Sequence, residues 1–117
     1  MSVEVHVLAS GSDGNCTVIR SEDRAVMVDA GLSYKKTKSL MDINGIDESE
    51  IEALFVTHEH SDHVGGAGAI ARKLDIPVYC NQNTWSSPSR LSLFFTSASR
   101  STSSRAFSTA LSRVNIL

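Results

Sequence analysis

Val3, Val5 and Val7 alternate with Glu4 and His6, and that period of two predicts a strand. The alternation ends in Ala9-Ser10-Gly11-Ser12-Asp13-Gly14-Asn15, a run of small and turn-forming residues. Cys16 to Arg20 predicts a second strand, Ser21-Glu22-Asp23-Arg24 a turn, and Ala25 to Val28 a third strand, so the chain opens as a β-meander. Ser33 can cap a helix over residues 33–44, with Tyr34, Leu40 and Ile43 on one side and Asn44-Gly45 as its stop. Asp47-Glu48-Ser49-Glu50 puts acids at the start of a short helical turn, where exposed N–H groups favour negative charge. Ala53-Leu54-Phe55-Val56 is a continuous apolar run, the mark of a strand buried on both faces. A helix over residues 63–74 follows. Ile76-Pro77-Val78-Tyr79-Cys80 predicts one more strand, with Pro77 at its start or on a sheet edge. Strands alternating with helices predict an α/β layered domain.

Beyond Trp85 this patterning dissolves. Eleven of the 32 residues 86–117 are serine, and only Phe107, Leu111 and Val114 keep a helical spacing. Charge changes at the same place. Residues 1–85 carry seven Lys and Arg against thirteen Asp and Glu, a net −6, while residues 86–117 carry four Arg and no acid, a net +4. The division expected is a folded part, 1–85, and a disordered Ser/Arg-rich tail, 86–117. The sudden loss of acids and of periodicity suggests a shifted reading frame or an altered gene end. No apolar run approaches the roughly 18 residues needed to cross a bilayer, and Met1-Ser2-Val3-Glu4-Val5 has no secretory pattern. Neither a membrane span nor secretion is therefore expected. Cys16 and Cys80 match no metal or redox spacing and read as buried thiols in a reducing cytoplasm.

The chemistry concentrates in His58-Glu59-His60-Ser61-Asp62-His63. His58 and His60 share a side only if the segment is extended, as the apolar strand before it suggests. Asp62 falls on that side by the same count, and His63 opens the next helix. His58 pairs with His60, and Asp62 with His63. Imidazole nitrogens suit zinc, manganese or iron, and the carboxylate adds charge neutralisation and can orient a water. Gly65, Gly66 and Gly68 cost helix stability, about 1 kcal/mol each relative to alanine. Close approach of backbone to a metal site would explain them. His6, alone on its strand, reads as structural.

With these residues in view, Thr57-His58-Glu59-His60-Ser61-Asp62-His63 resembles the histidine-rich signature of the metallo-β-lactamase superfamily. Leu8-Ala9-Ser10-Gly11-Ser12-Asp13-Gly14-Asn15, Val28-Asp29-Ala30-Gly31 and Asn83-Thr84-Trp85 resemble its WalJ/YycJ-like branch, over about residues 3–85. The resemblance implies the N-terminal half of an αββα sandwich with two divalent metal ions at one edge, zinc foremost and manganese or iron as alternatives. It implies that His58 and His60 bind one metal, that Asp62 and His63 bind the other, and that Asp62 orients the catalytic water. Asp29 would lie beneath the metals, steadying their ligands. Ser10, Gly11, Ser12, Gly14 and Asn15 would form a loop near them. The activity implied is metal-dependent hydrolysis by a phosphodiesterase or nuclease of the 5′→3′ DNA exonuclease kind, with nucleic acid as substrate.

Two features depart from that pattern. Such a site needs a third histidine for each metal and a bridging aspartate from downstream, yet no histidine follows His63 and the only later carboxylate side chain is Asp75. The second half of the sandwich is expected to be missing from these 117 residues as well. Weak metal binding and little turnover are therefore expected of these 117 residues alone. The rival readings are a non-catalytic metal-binding or interaction fragment and an inactive truncated product. The acidic balance of residues 1–85 gives no electrostatic help to DNA binding.

Overall fold

The computed structural model describes residues 2–58, 61–81 and 114–116. Its strands form one mixed sheet in sequence order, β1 (Glu4–Ala9), β2 (Cys16–Ser21), β3 (Arg24–Val28), β4 (Ile51–Phe55), β5 (Val78–Cys80) and β6 (Val114–Ile116). β1, β2 and β3 run antiparallel, as the meander predicts, and β3 to β6 run parallel. Each parallel step needs a crossover. α1 (Tyr34–Ile43) with a 3-10 turn (Glu48–Glu50) supplies the first, and α2 (Ser61–Val64) with α3 (Ala67–Leu74) the second.

α1 forms where its caps dictate. The Ser33 side chain accepts the N–H of Lys36 at 3.2 Å, and Gly45 beyond its end takes a left-handed φ of 70°. Asp47 likewise accepts the N–H of Ser49 at 2.9 Å and opens the 3-10 turn. The helix expected over residues 63–74 is instead two helices broken at Gly65-Gly66. The cause is local. Gly66 N–H donates to Ala30 O at 2.7 Å, which draws the backbone out of the helical ladder and onto the loop after β3. Pro77 stands before β5 and accepts the N–H of Leu54 through its carbonyl, so it removes no ladder bond.

Register divides the sheet into two faces. His6, Val18, Met27, Leu54 and Val78 lie in one row across it. The four apolar members are fully buried in one cluster with Met41, Ile46, Val64 and Ile70 from the helical side. The opposite row runs Val7, Thr17, Val28, Phe55 and Tyr79, with the Phe55 and Tyr79 rings stacked at 5.0 Å. At its outer end Val5 and Val7 are 62% and 61% exposed. The valines of β1 thus point away from the helices. Glu4 and His6 face the other way, where Glu4 lies 3.7 Å from Arg20 and Arg20 donates to Glu50 at 3.0 Å.

Of residues 86–117, only Val114–Ile116 are described. They form a strand beside β5, with Val78 paired to Val114, where the sequence offered helical spacing. Two β-branched residues flanking Asn115 suit a parallel edge. Phe107 and Leu111 lie outside the described residues, as does most of the expected tail. Among the described residues no helix is long and apolar enough to cross a membrane.

Candidate metal centre

β3 and β4 are parallel, so their carboxyl ends lie side by side, the edge at which open α/β sheets place ligand sites. Asp29 follows β3 directly with φ of 64°, a left-handed conformation that aspartate tolerates better than most residues. Its own N–H donates to Phe55 O at 2.7 Å, tying it to the last residue of β4. The carboxylate then reaches across to Thr57. Oδ1 accepts the Thr57 N–H at 2.8 Å, and Oδ2 accepts the Thr57 hydroxyl at 2.7 Å. Asp29 is buried, so these bonds are poorly screened.

α2 brings in the next group. Ala30 N–H donates to the carbonyl of His63 at 2.8 Å, and His63 Nδ1 lies 2.7 Å from Asp29 Oδ2. His58 Nδ1 lies 2.8 Å from Thr57 Oγ1, and the His58 and His63 rings stand 4.5 Å apart at 45°. Asp29, His58 and His63 can each offer a donor atom such that all three lie within 4.8 Å of one another. Burial falls from Asp29 through the partly buried His63 to the exposed His58, so the group opens to solvent. The two imidazoles offer donors of the kind that suits a borderline divalent cation such as zinc, while the Asp29 oxygens are engaged by Thr57 and His63.

The other expected site residues divide three ways. His60 lies outside the described residues, and Asp62 lies in α2 with its side chain outside the described part. The loop between β1 and β2 is pinned by Asn15, whose side chain donates to Gly11 O at 2.8 Å and accepts the Gly11 N–H at 3.2 Å. Asn15 O also accepts the Gly31 N–H at 3.0 Å, two residues from Asp29, so the loop is anchored to the strand end that carries the carboxylate. Ser10, Gly11 and Ser12 are exposed, whereas Gly14 is buried against the Leu32 side chain. At Gly66 the 30–32 loop leaves no room for a side chain: a β-carbon there would meet Leu32 O. Thr57 is the residue the sequence left without a role, and a hydroxyl directly before the first motif histidine was the available signal. Cys16 and Cys80 are both free and buried. The Cys16 thiol is pushed up to about 12 by burial and then by the charge of Asp29, so it offers no thiolate near the site.

Comparison with known proteins agrees with this layout. The profile of the metallo-β-lactamase superfamily matches residues 9–112. Exodeoxyribonuclease YycJ of Bacillus anthracis is 43% identical over 91 residues, covering 78% of this chain and 34% of the relative. Exodeoxyribonuclease WalJ of Streptococcus pneumoniae serotype 2 is 46% identical over 80 residues, covering 68% and 29%. The chain thus spans about a third of the length of the curated relatives it matches. A crystal structure of a metallo-β-lactamase-like protein from Thermotoga maritima superposes with a TM-score of 0.61 at 17% identity, covering 98% of this chain and 58% of that one. That likeness concerns the fold, which is the N-terminal α/β portion of the sandwich. With His58 and His63 gathered beside Asp29 at the carboxyl ends of β3 and β4 and a profile match over most of its length, the chain belongs to the metallo-β-lactamase superfamily.

Proposed function

We propose that this chain carries the histidine-rich half of a metal-dependent phosphodiesterase site that acts on DNA. The observation that supports this reading best is the meeting of Asp29, His58 and His63 within 4.8 Å. In this reading His58 and His60 hold one divalent cation, and Asp62 and His63 hold a second. Zinc suits these donors best, with manganese or iron as alternatives. Such cations, when bound, lower the pKa of a water toward 7 and neutralise phosphate charge. Asp62 orients that water. Asp29 serves as a support, because Thr57 and His63 already engage both its oxygens. Ser10, Gly11, Ser12, Gly14 and Asn15 form a loop near the cations. The names of the YycJ and WalJ relatives support DNA as the substrate, with 5′→3′ exonuclease action as the mode. The free buried cysteines suit a reducing compartment, the cytoplasm.

Because His63 is the last histidine of the sequence, the 117 residues supply two motif ligands per cation. Catalytic zinc sites use three protein ligands and a water, so binding by this chain alone is weak and turnover slight. The same count supports a second reading, a metal-binding module without catalysis. Calorimetric titration with zinc and manganese, beside cleavage of 5′-phosphorylated DNA at high protein concentration, separates them. We expect weak binding lost in His58→Ala and His63→Ala, with residual metal-dependent turnover on DNA and none on a carboxylic ester. Binding indifferent to both substitutions would sink the site, and turnover of the ester alone would sink the nuclease. Two tight sites with brisk turnover, abolished by His60→Ala, would overturn the expected weakness.

A further inference from the structure

Thr57 stands between Asp29 and His58, and proton bookkeeping fixes which way each hydrogen bond runs. An ionised carboxylate only accepts, and a threonine hydroxyl has one proton to donate. Thr57 Oγ1 lies 2.7 Å from Asp29 Oδ2 and 2.8 Å from His58 Nδ1. The hydroxyl proton must point to Asp29. Thr57 Oγ1 can then only accept from His58, which places the proton of neutral His58 on Nδ1 and its lone pair on Nε2. On the other side, His63 Nδ1 lies 2.7 Å from the same Oδ2, so His63 also carries its proton on Nδ1. One carboxylate oxygen thereby sets both imidazoles, His63 directly and His58 through one hydroxyl.

We propose that Thr57 is a positioning residue: its hydroxyl relays the hold of Asp29 to His58, fixing the ring orientation and the Nδ1–H tautomer that leaves Nε2 as the metal-binding nitrogen. The backbone N–H of Thr57, held by Asp29 Oδ1 at 2.8 Å, keeps the hydroxyl in place. This role rests on the reading of His58 and His63 as metal ligands, although the tautomers themselves exist without metal. The relay also accounts for a hydroxyl-bearing residue at this position: valine matches threonine in shape but offers His58 no acceptor.

The test is long-range 15N–1H correlation NMR on the metal-free chain, at a pH high enough for both imidazoles to be neutral. Wild type should show His58 and His63 protonated on Nδ1. In Thr57→Val, His58 should lose that preference while His63 keeps it, and Thr57→Ser should restore His58. Zinc affinity should fall about 10–100-fold in Thr57→Val and recover in Thr57→Ser. His58 protonated on Nε2 in wild type overturns the relay without recourse to any variant, which covers the case of Thr57→Val failing to fold. An unchanged His58 tautomer in a folded Thr57→Val overturns it equally. If the tautomer responds as stated but wild type binds no zinc, the relay stands and the metal-site reading falls.

Discussion

A β-carbon on Gly66 would collide with the carbonyl oxygen of Leu32. The obstacle is backbone, and Gly66 is itself tied to Ala30 by a 2.7 Å hydrogen bond, so neither side can move freely. Gly66→Ala should therefore cost more than ordinary overpacking, at least about 3 kcal/mol. For a domain of this size that lowers Tm by about 12 °C or more, measurable by calorimetry. Because the displaced segment leads back to Asp29, zinc binding should weaken as well. A variant as stable as wild type would show that the two loops are not packed as described.

Asp29 combines a backbone demand with a side-chain demand, and two substitutions separate them. Asp29→Asn can keep the left-handed φ of 64°, and its remaining side-chain oxygen can still accept the Thr57 N–H. The new amide NH2 would donate toward the Thr57 hydroxyl and His63 Nδ1, so both must turn acceptor and the imidazole protons leave Nδ1. Zinc affinity should fall about 10–100-fold while urea stability changes little. Asp29→Ala should lose the same affinity and, in addition, about 1–2 kcal/mol or more, since alanine resists that conformation and leaves the Thr57 N–H without its acceptor. Equal stabilities for the two variants would show that neither the left-handed backbone nor the Thr57 N–H bond constrains position 29 as described.

What the sequence disclosed followed the range of each interaction. Ser33, Asn44-Gly45 and Asp47 marked element ends because a cap is decided within three or four residues. The break at Gly65-Gly66 was not legible, since its cause is a carbonyl on the loop at residues 30–32. Periodicity announced β1 but not its polarity. Which face of Val5 and Val7 turns inward depends on Arg20 and Glu50, elements away, holding Glu4 on the other side. At the site the histidine spacing declared its chemistry outright. The link from Thr57 to Asp29 spans 28 residues and emerges only once β3 and β4 lie parallel.

Cys16 gives a prediction in pH. Its folded-state value is raised from 9.0 to about 12 by burial and by Asp29, so the fold favours the neutral thiol. That stabilisation is complete below about pH 9 and is lost as pH rises toward 12, because the unfolded chain ionises first. The added slope reaches at most about 1.4 kcal/mol per pH unit. It should appear as the difference between urea stabilities of wild type and Cys16→Ala across roughly pH 8.5–11, which cancels the contributions of other groups. Below about pH 9 the thiol should also resist alkylation until the protein unfolds. Parallel stability curves, or alkylation of the native protein at the rate of a free thiol, would count against it.

The valine face of β1 gives the last prediction. Val3, Val5 and Val7 are each more than 60% exposed, and Ile19, beside Val5 in the pairing register, is 37% exposed. Single exposed valines are ordinary, but adjacent ones on a regular strand make a continuous apolar strip. Such a strip should bind an environment-sensitive hydrophobic dye in the native state, before any unfolding. Val5→Thr with Val7→Thr keeps β-branched side chains and so retains strand preference while adding hydroxyls that water can satisfy. Little burial is lost, so Tm should move by no more than a few degrees, whereas native-state dye fluorescence should fall several-fold. The contrasting change is Val18→Thr on the inward row, where the side chain is fully buried. There an unsatisfied hydroxyl should cost about 1–3 kcal/mol and raise dye binding through partial unfolding. If the outward pair proves as costly as Val18→Thr, the valines are covered in solution and the exposed face is not the one described.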